Sequence, residues 1–292
     1  MKVNFKLKVV SECMAQEGKC IMSEKSYLER LAEMHTKNEL KMLEGDSEFE
    51  FACLQCGKCC HNRMDILISP HDFYHLVRET GKEPMEVIRK YMNVYIGEHS
   101  NVTIMQLRYR EEEDGSTTCY FLGRKDGKYY CRVQAHKPFV CRAFPLGRMN
   151  AYKTDEKEPN INYEPKYFQQ PDPNDGCEGL EVAKRNGIMQ KVVDWLGGSD
   201  MKEKSDRYSQ LFNRYSAELF RTINLAELRR LDNQEVANKY YQMMFIGFYL
   251  NYDFTADEDS FLAQYEENWE KIIDMSRLLA MHPNGKLVPR IA

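Results

Sequence analysis

Apolar residues recur every three or four positions through the last third of the chain. This spacing predicts amphipathic helices, because residues three and four apart lie on one helix face. Such stripes usually pack together as core faces, and an apolar groove for a cofactor or substrate is the alternative. Residues 181–292, which contain no cysteine, include three stripes: Leu211, Tyr215, Leu219 and Ile223; Val236, Tyr240, Met243, Met244 and Phe248; and Phe261, Leu262, Tyr265, Trp269, Ile272 and Ile273.

Two helix starts are marked near the middle of the chain. Ser69 and Pro70 fit the N-cap and the first position of a helix, which we expect to end near Gly81. Glu83 and Pro84 mark the start of a second helix. We therefore predict two consecutive helices in this part of the chain.

Short strands are predicted on either side of these helices, where apolar and polar residues alternate. They lie at residues 64–68, 102–110, 119–122 and 128–133. The last two flank an Asp-Gly pair, which favours a tight hairpin turn. This hairpin would bring Cys119 and Cys131 close together.

Two further segments have less regular patterns. Residues 24–43 carry apolar side chains at helical spacing and predict an N-terminal helix. Residues 152–175 are rich in Pro, Asn, Asp and Glu, which predicts an extended surface connection. This connection leads to Cys177, whose flanking glycines let the backbone turn around a ligand. An ordinary loop thiol is the alternative for Cys177.

Eight of the ten cysteines form one framework. Four of them make a C-x2-C-x2-C-C run, and the other four follow singly. Thiolates crowded this closely require covalent pairing or a thiophilic metal. The framework consists of Cys53, Cys56, Cys59, Cys60, Cys119, Cys131, Cys141 and Cys177.

The ends of the chain bear on the choice between disulfides and metal. Residues 1–10 alternate Lys with apolar residues and lack the apolar run of a signal peptide. No window approaches the ~18 apolar residues of a membrane helix. We therefore expect a cytoplasmic protein that does not enter a membrane. Disulfides rarely persist in a reducing cytoplasm, so the framework predicts metal binding.

The charge balance excludes few classes of function, but it disfavours binding to nucleic acid. Lys and Arg total 41 and Asp and Glu total 45, a formal net charge of −4. Nucleic-acid-binding proteins usually carry a clustered basic excess, which this chain lacks. We expect instead a protein partner or substrate, which the sequence does not name.

The spacing of the cysteine run limits how it can bind metal. Three cysteines at C-x2-C-x2-C can wrap one centre from a tight loop, and Gly57 eases the turn. Neighbouring side chains usually diverge, so Cys59 and Cys60 are not expected to enter one centre in the same way. Eight thiolates could hold two four-coordinate centres, or one cluster with reserve thiols. The run lacks the C-x3-C-x2-C spacing of radical S-adenosylmethionine enzymes, so that chemistry is disfavoured.

The arrangement resembles the YkgJ-like cysteine-cluster family over about residues 50–180. That family's pattern opens with C-x2-C-x2-C-C and continues with C-x-F-L, found here from Cys119 to Leu122. It closes with C-x-I-Y-x2-R-P-x2-C-R-x-F-P, which matches here at Cys131, Pro138, Cys141, Arg142, Phe144 and Pro145. Val133, Gln134 and Lys137 replace the usual Ile, Tyr and Arg, and every cysteine is kept.

The resemblance implies binding of zinc or iron. Abundant thiolates with few suitably spaced histidines favour an iron–sulfur cluster, with 4Fe–4S as the expected type. Lys58, Arg132 and Arg142 could offset its negative charge. Four cysteines can equally hold zinc, so both metals stay open.

Other polar residues near the framework are assigned structural roles. His61 and His136 could bind metal or donate to sulfur, but the cysteines already suffice. Asp65 and Asp72 fit a strand end and a helix start better than catalytic acids. We therefore assign no catalytic residue.

Three functions fit these features. The first, which we favour, is a metal-binding protein whose centre is structural or electron-carrying. The second is an S-adenosylmethionine-dependent enzyme, because flagellin lysine N-methylases carry a similar cysteine cluster; however, no glycine-rich binding loop follows a strand here. The third is a metal-delivery or redox-sensing module that uses surplus thiols such as Cys60. Whether the protein is an enzyme stays open.

The predicted fold class is α+β and predominantly helical. We expect a small, cysteine-rich, metal-centred domain with short antiparallel strands, followed by a helical region. The predicted divisions are residues 1–45 for an N-terminal helical segment, 46–180 for the cysteine domain and 181–292 for the helical region.

Overall fold

The computed structural model describes residues 41–63, 66–98, 100–153, 162–170, 177–229 and 234–281. Helices dominate the described residues, and short antiparallel strands accompany them, so the α+β, predominantly helical class is confirmed. The helices are Pro70–Thr80 (α1), Pro84–Tyr91 (α2), Phe139–Ala143 (α3), Gly179–Asn186 (α4), Val192–Trp195 (α5), Ser199–Thr222 (α6), Leu225–Arg229 (α7), Gln234–Tyr249 (α8) and Glu258–Met281 (α9).

The strands pair locally, mostly as hairpins between neighbours in sequence. They are Met42–Leu43 (β1), Glu48–Glu50 (β2), Met92–Ile96 (β3), Thr103–Leu107 (β4), Tyr109–Glu111 (β5), Thr117–Cys119 (β6), Leu122–Lys125 (β7), Lys128–Cys131 (β8), Leu146–Lys153 (β9), Asn162–Gln169 (β10) and Met189–Lys191 (β11). Strands β3 and β4, β5 and β6, and β7 and β8 form antiparallel pairs. Strand β10 pairs with its neighbour in sequence, β9, and also with the distant β1. Strand β2 pairs with the distant β11.

Helix α1 begins and ends where the sequence predicts. The Ser69 hydroxyl accepts the backbone N–H of Asp72 at 3.1 Å, and the Asp72 carboxylate accepts the Ser69 N–H at 3.1 Å. This reciprocal pair is a capping box, which satisfies two donors that a helix start leaves unpaired. Pro70 stands at the first position, and Gly81 ends the helix in the left-handed conformation. The helix predicted at Pro84 is also confirmed.

The largest core joins helices α1 and α2 to helices α6–α9. It includes residues from Ile66 to Ile273, and the three predicted apolar stripes contribute to it. Tyr265 and Trp269 of α9 are among its largest fully buried side chains. The stripes are therefore core faces, as predicted, and the domain division at residue 180 stays a prediction. No helix in the described part of the chain is long and apolar enough to cross a membrane.

Four local predictions need correction. Residues 24–40 of the expected N-terminal helix lie outside the described residues, and Met42–Leu43 is a strand that pairs with β10. The segment expected to be a surface connection contains strand β10, whose Tyr167 and Phe168 are buried. Of the strand expected at 64–68, the described part makes one bridge, from Leu67. The strand expected at 102–110 is interrupted at Arg108, and its two parts pair with different partners.

The predicted hairpin forms around the Asp-Gly turn but with a different register. Strand β7 pairs with β8, and Leu122 lies opposite Cys131. Cys119 instead ends β6 and lies opposite Tyr109 of β5. A separate hairpin therefore carries each of the two cysteines.

Candidate metal centre

The first three cysteines of the run are exposed and lie on a tight loop that requires Gly57. Gly57 has a φ of 75°, in the left-handed region, and precedes a 3-10 turn at Lys58–Cys60. The Cys60 N–H donates to the Gly57 carbonyl at 2.8 Å, which closes that turn. A Cβ at position 57 would lie 2.9 Å from the Tyr129 ring. The loop is thus packed directly on strand β8.

The adjacent thiols of Cys59 and Cys60 do not diverge. Their Sγ atoms are 3.9 Å apart, although the two residues are neighbours in the 3-10 turn. This overturns the expectation that neighbouring side chains separate. Two thiolates at about 2.3 Å from one tetrahedral zinc ion would be about 3.8 Å apart, so the spacing suits one shared ion.

Cys177 is brought to the loop by contacts of the residues that follow it. The Ala52 N–H donates to the Gly179 carbonyl at 3.1 Å, and Lys58 forms an ion pair with Glu178 at 3.2 Å. A Cβ at Gly179 would lie 2.6 Å from the Phe51 ring, so glycine permits this close approach. Cys177 therefore reaches the loop across more than a hundred residues.

Cys119 is positioned beside Cys60 by backbone pairing. The Asn62 N–H donates to the Thr117 carbonyl at 2.8 Å, and the Thr117 N–H donates to the Asn62 side chain at 2.9 Å. Residue 61, directly after Cys60, forms a bridge with Thr118. Strand β6 thus pairs with the residues that directly follow the cysteine run. Because Cys119 ends this strand, the pairing brings it near Cys60.

Cys131 and Cys141 arrive from two other elements. The Tyr129 N–H donates to the Gln55 carbonyl at 3.0 Å, which fastens strand β8, and with it Cys131, to the loop. Cys141 lies in the short helix α3, whose first N–H, at Phe139, donates to the Asp72 carboxylate at 2.7 Å. Helix α1 therefore holds the segment that carries Cys141.

The electrostatic interactions among the framework cysteines form two overlapping sets that share Cys59. After burial, which is the larger cause, the thiolate charges of Cys56, Cys59 and Cys53 raise the pKa of Cys177. We call these four the outer group. Burial and then the charges of Cys119, Cys131 and Cys59 raise the pKa of Cys141. The second set, which we call the inner group, is Cys60, Cys119, Cys131 and Cys141.

The inner thiols resist ionisation in the metal-free protein. Burial raises the pKa of Cys119 to about 11, and burial is also the main cause of the raised pKa values of Cys131 and Cys141. The hydrogen bond to Cys59, followed by burial, raises the pKa of Cys60. A thiophilic metal would stabilise all four as thiolates.

Cys59 differs from its neighbours and interacts with both groups. The hydrogen bond from Cys60 lowers the pKa of Cys59 to about 6, against burial, and the charges of Lys137 and Arg63 act in the same direction. The charge of Lys137 also opposes the rise in the pKa values of Cys131 and Cys141. Lys137 stands where the family pattern has an arginine, so the sequence indicates a cation at this position. The effect of this cation on the thiols was not predicted.

The other polar residues noted in the sequence have structural partners. His61 shares a hydrogen bond with Thr118 at 3.0 Å, and His136 with Glu79 at 2.8 Å. Arg142 donates to the Ala135 carbonyl at 2.8 Å. Asp72 caps helix α1, as predicted, and Asp65 lies outside the described residues.

One family model matches the part of the chain that carries most of the framework. Residues 52–166 match the family model CxxCxxCC, described as a "putative zinc- or iron-chelating domain". The matched region, which we call the CxxCxxCC domain, spans less than half of the chain. The match includes every framework cysteine except Cys177, which lies beyond its end. No curated protein and no solved structure matches the chain significantly.

The family match supports metal binding by the CxxCxxCC domain. The donor set fits that role, because the eight framework cysteines are free and the thiols of the loop interact with thiols from two hairpins, helix α3 and the segment of Cys177. The similarity to flagellin lysine N-methylases stays a prediction, as do the individual ligand assignments.

Proposed function

We propose that the CxxCxxCC domain holds metal in two thiolate centres, one for each cysteine group, with a structural or electron-carrying role. The carrying observation is the set of contacts that brings Cys177 to the loop of the first three cysteines and brings the segments of Cys119, Cys131 and Cys141 to the residues around Cys60. Four thiolates complete either a zinc site or an iron–sulfur cluster. Cys59, which interacts with both sets, is assigned to the outer centre by its C-x2-C-x2-C spacing.

The outer group is proposed to bind an iron–sulfur cluster. Three of its cysteines come from one tight loop and the fourth comes from a distant segment. Bacterial ferredoxins share this logic, because the last cysteine of their local run belongs to another cluster. Cys53, Cys56 and Cys59 are exposed. This exposure supports electron exchange with a protein partner, which is still to be identified.

The inner group is proposed to be structural. Its cysteines come from the loop, two hairpins and helix α3, and Cys119 is buried. A metal that joins four elements would couple its own binding to folding of the domain. Loss of this centre is therefore expected to unfold the domain, whereas loss of the outer centre is not.

Zinc is the second candidate, and one distance favours it. The 3.9 Å between the sulfur atoms of Cys59 and Cys60 suits two ligands of one zinc ion, which would draw its ligands from both groups instead of dividing Cys59 from Cys60. Zinc bound in this way would make the domain purely structural. The cytoplasmic location and the methylase alternative stay predictions, the latter testable by equilibrium dialysis with S-adenosylmethionine.

The test is anaerobic purification with analysis of iron, zinc and acid-labile sulfide, alongside a visible spectrum. Iron with matching sulfide supports the cluster, and zinc without sulfide supports the second candidate. Cys177→Ser should lose the outer metal and keep the inner metal. Cys20→Ser, outside the framework, is the matched control and should lose neither. Equal metal content in Cys177→Ser and the control would contradict the two-centre proposal.

A further inference from the structure

Two histidines and a glutamate converge at a place separate from the cysteine framework. His71 and His75 lie one turn apart on helix α1, and Glu258 is the first residue of α9. The three ligand atoms lie within 4.8 Å of one another. The spacing of His71 and His75 in a predicted helix was a signal in the sequence, but Glu258 lies 183 residues beyond His75 and could not be paired with them.

The distances between the donor atoms suit a single ion. The Nε2 atoms of His71 and His75 are 3.2 Å apart, and His75 Nε2 is 3.2 Å from Glu258 Oε1. Two nitrogens at about 2.05 Å from a tetrahedral zinc would be about 3.3 Å apart. His71 Nε2 is 2.5 Å from Glu258 Oε1, the distance of a hydrogen bond. A bound ion would replace that proton.

The ligands are held rigidly before any ion binds. The ring of His71 stacks on Tyr208 with centroids 5.2 Å apart, and its side chain is 6% exposed. The Tyr74 hydroxyl donates to the Ala256 carbonyl at 2.6 Å, which fixes the segment before Glu258 against α1. Preorganised ligands lose little conformational freedom when they bind a metal.

The chemical surroundings are mixed in charge. The Glu258 side chain is 14% exposed, and the hydrogen bonds and charges of both histidines lower its pKa despite burial. Lys204 Nζ lies 3.9 Å from the other Glu258 oxygen. The Oε2 atom of Glu258 thus lies near the Lys204 ammonium, while its Oε1 atom faces the two imidazoles. A carboxylate that stays ionised beside two imidazoles is a suitable metal ligand.

We propose that His71, His75 and Glu258 bind a divalent first-row transition ion, such as zinc, independently of the cysteine centres. Imidazole and carboxylate ligands suit zinc or ferrous iron, and three protein ligands leave a position open for water or substrate. The site joins α1 to α9 and lies next to Asp72, which holds the segment of Cys141. A bound ion would therefore hold the cysteine domain and the helical region together.

The test counts zinc ions bound to the full-length protein by native mass spectrometry, with zinc as the probe. His75→Gln and Glu258→Gln should each bind one ion fewer than the wild type. His136→Gln is the matched control, because its ring stacks on His75 at 5.1 Å while its nitrogen bonds to Glu79. The control should bind as many ions as the wild type. Equal counts in the wild type and His75→Gln would overturn the proposal.

Two further readouts separate this site from a structural hydrogen-bond cluster and from the cysteine centres. Added zinc should raise the Tm of the wild type and of His136→Gln more than that of His75→Gln. An equal rise in all three would overturn the proposal. In a Cys177→Ser background, His75→Gln should still remove one ion. Loss of no further ion in that background would show that the cysteine framework alone binds zinc and would also overturn it.

Discussion

Asp72 caps two helices at once. One oxygen of its carboxylate accepts the N–H and hydroxyl of Ser69, and the other accepts the N–H of Phe139 at 2.7 Å, 67 residues away. Helix α1 and the segment that carries Cys141 are therefore joined through a single buried side chain.

Asp72→Asn should destabilise the protein. An amide has one acceptor oxygen where the carboxylate has two, so either the capping box or the Phe139 N–H loses its partner. Loss of a helix cap costs about 0.5–2 kcal/mol, and we expect a loss near the upper end. Urea unfolding measures it. Glu83→Gln is the control, because Glu83 precedes α2 without a side-chain capping bond; equal stability of the two variants would contradict the double role.

Gly57→Ala should destabilise the cysteine loop more than Gly115→Ala. Both glycines have a left-handed φ, of 75° and 79°, which costs a side chain about 1–2 kcal/mol. A Cβ at Gly57 would also lie 2.9 Å from the Tyr129 ring, whereas nothing lies within 4 Å of one at Gly115. Overpacking adds about 1–3 kcal/mol. Chemical denaturation and metal analysis of both variants check this, and matching losses would show that the ring contact is unimportant.

Metal binding to the metal-free protein should release protons at pH 7. The pKa of Cys119 is raised to about 11, and those of Cys131 and Cys141 are also raised, so these thiols are protonated before metal binds. Each thiol that becomes a ligand must lose its proton. Affinity should therefore fall as the pH falls, by up to about tenfold per unit for each such thiol. Titration in weak buffer with a pH indicator measures the release; a pH-independent affinity would argue against these ligands.

Trp269→Ala should strongly destabilise the helical region. Trp269 is 2% exposed, stacks on Tyr215 at 5.8 Å and contacts Phe248 at 4.7 Å between ring centroids. Removing a buried aromatic side chain typically costs about 3–5 kcal/mol. Leu278→Ala on the same helix is the control, since Leu278 is 62% exposed and should cost under about 1 kcal/mol. Thermal and chemical unfolding compare them, and similar losses would contradict the central position of Trp269.

Local signals predicted the helices better than the strands. Ser69, Pro70 and Gly81 mark the ends of α1 because capping depends on residues within one turn. Strand β10 was missed because its pairing with β9 and β1 depends on partners that its own composition does not reveal. The same reason explains the hairpin register, in which Leu122 rather than Cys119 lies opposite Cys131.

The sequence by itself determined the inventory of thiols, the tight loop at Gly57, the stripes that became the core and the family of the cysteine domain. Each of these is a local pattern of residue types and spacings. The tertiary structure alone decided that the sulfur atoms of Cys59 and Cys60 lie 3.9 Å apart and that Glu258 faces His71. Those relationships depend on how distant elements pack, and packing is a property of the whole chain that no short pattern encodes.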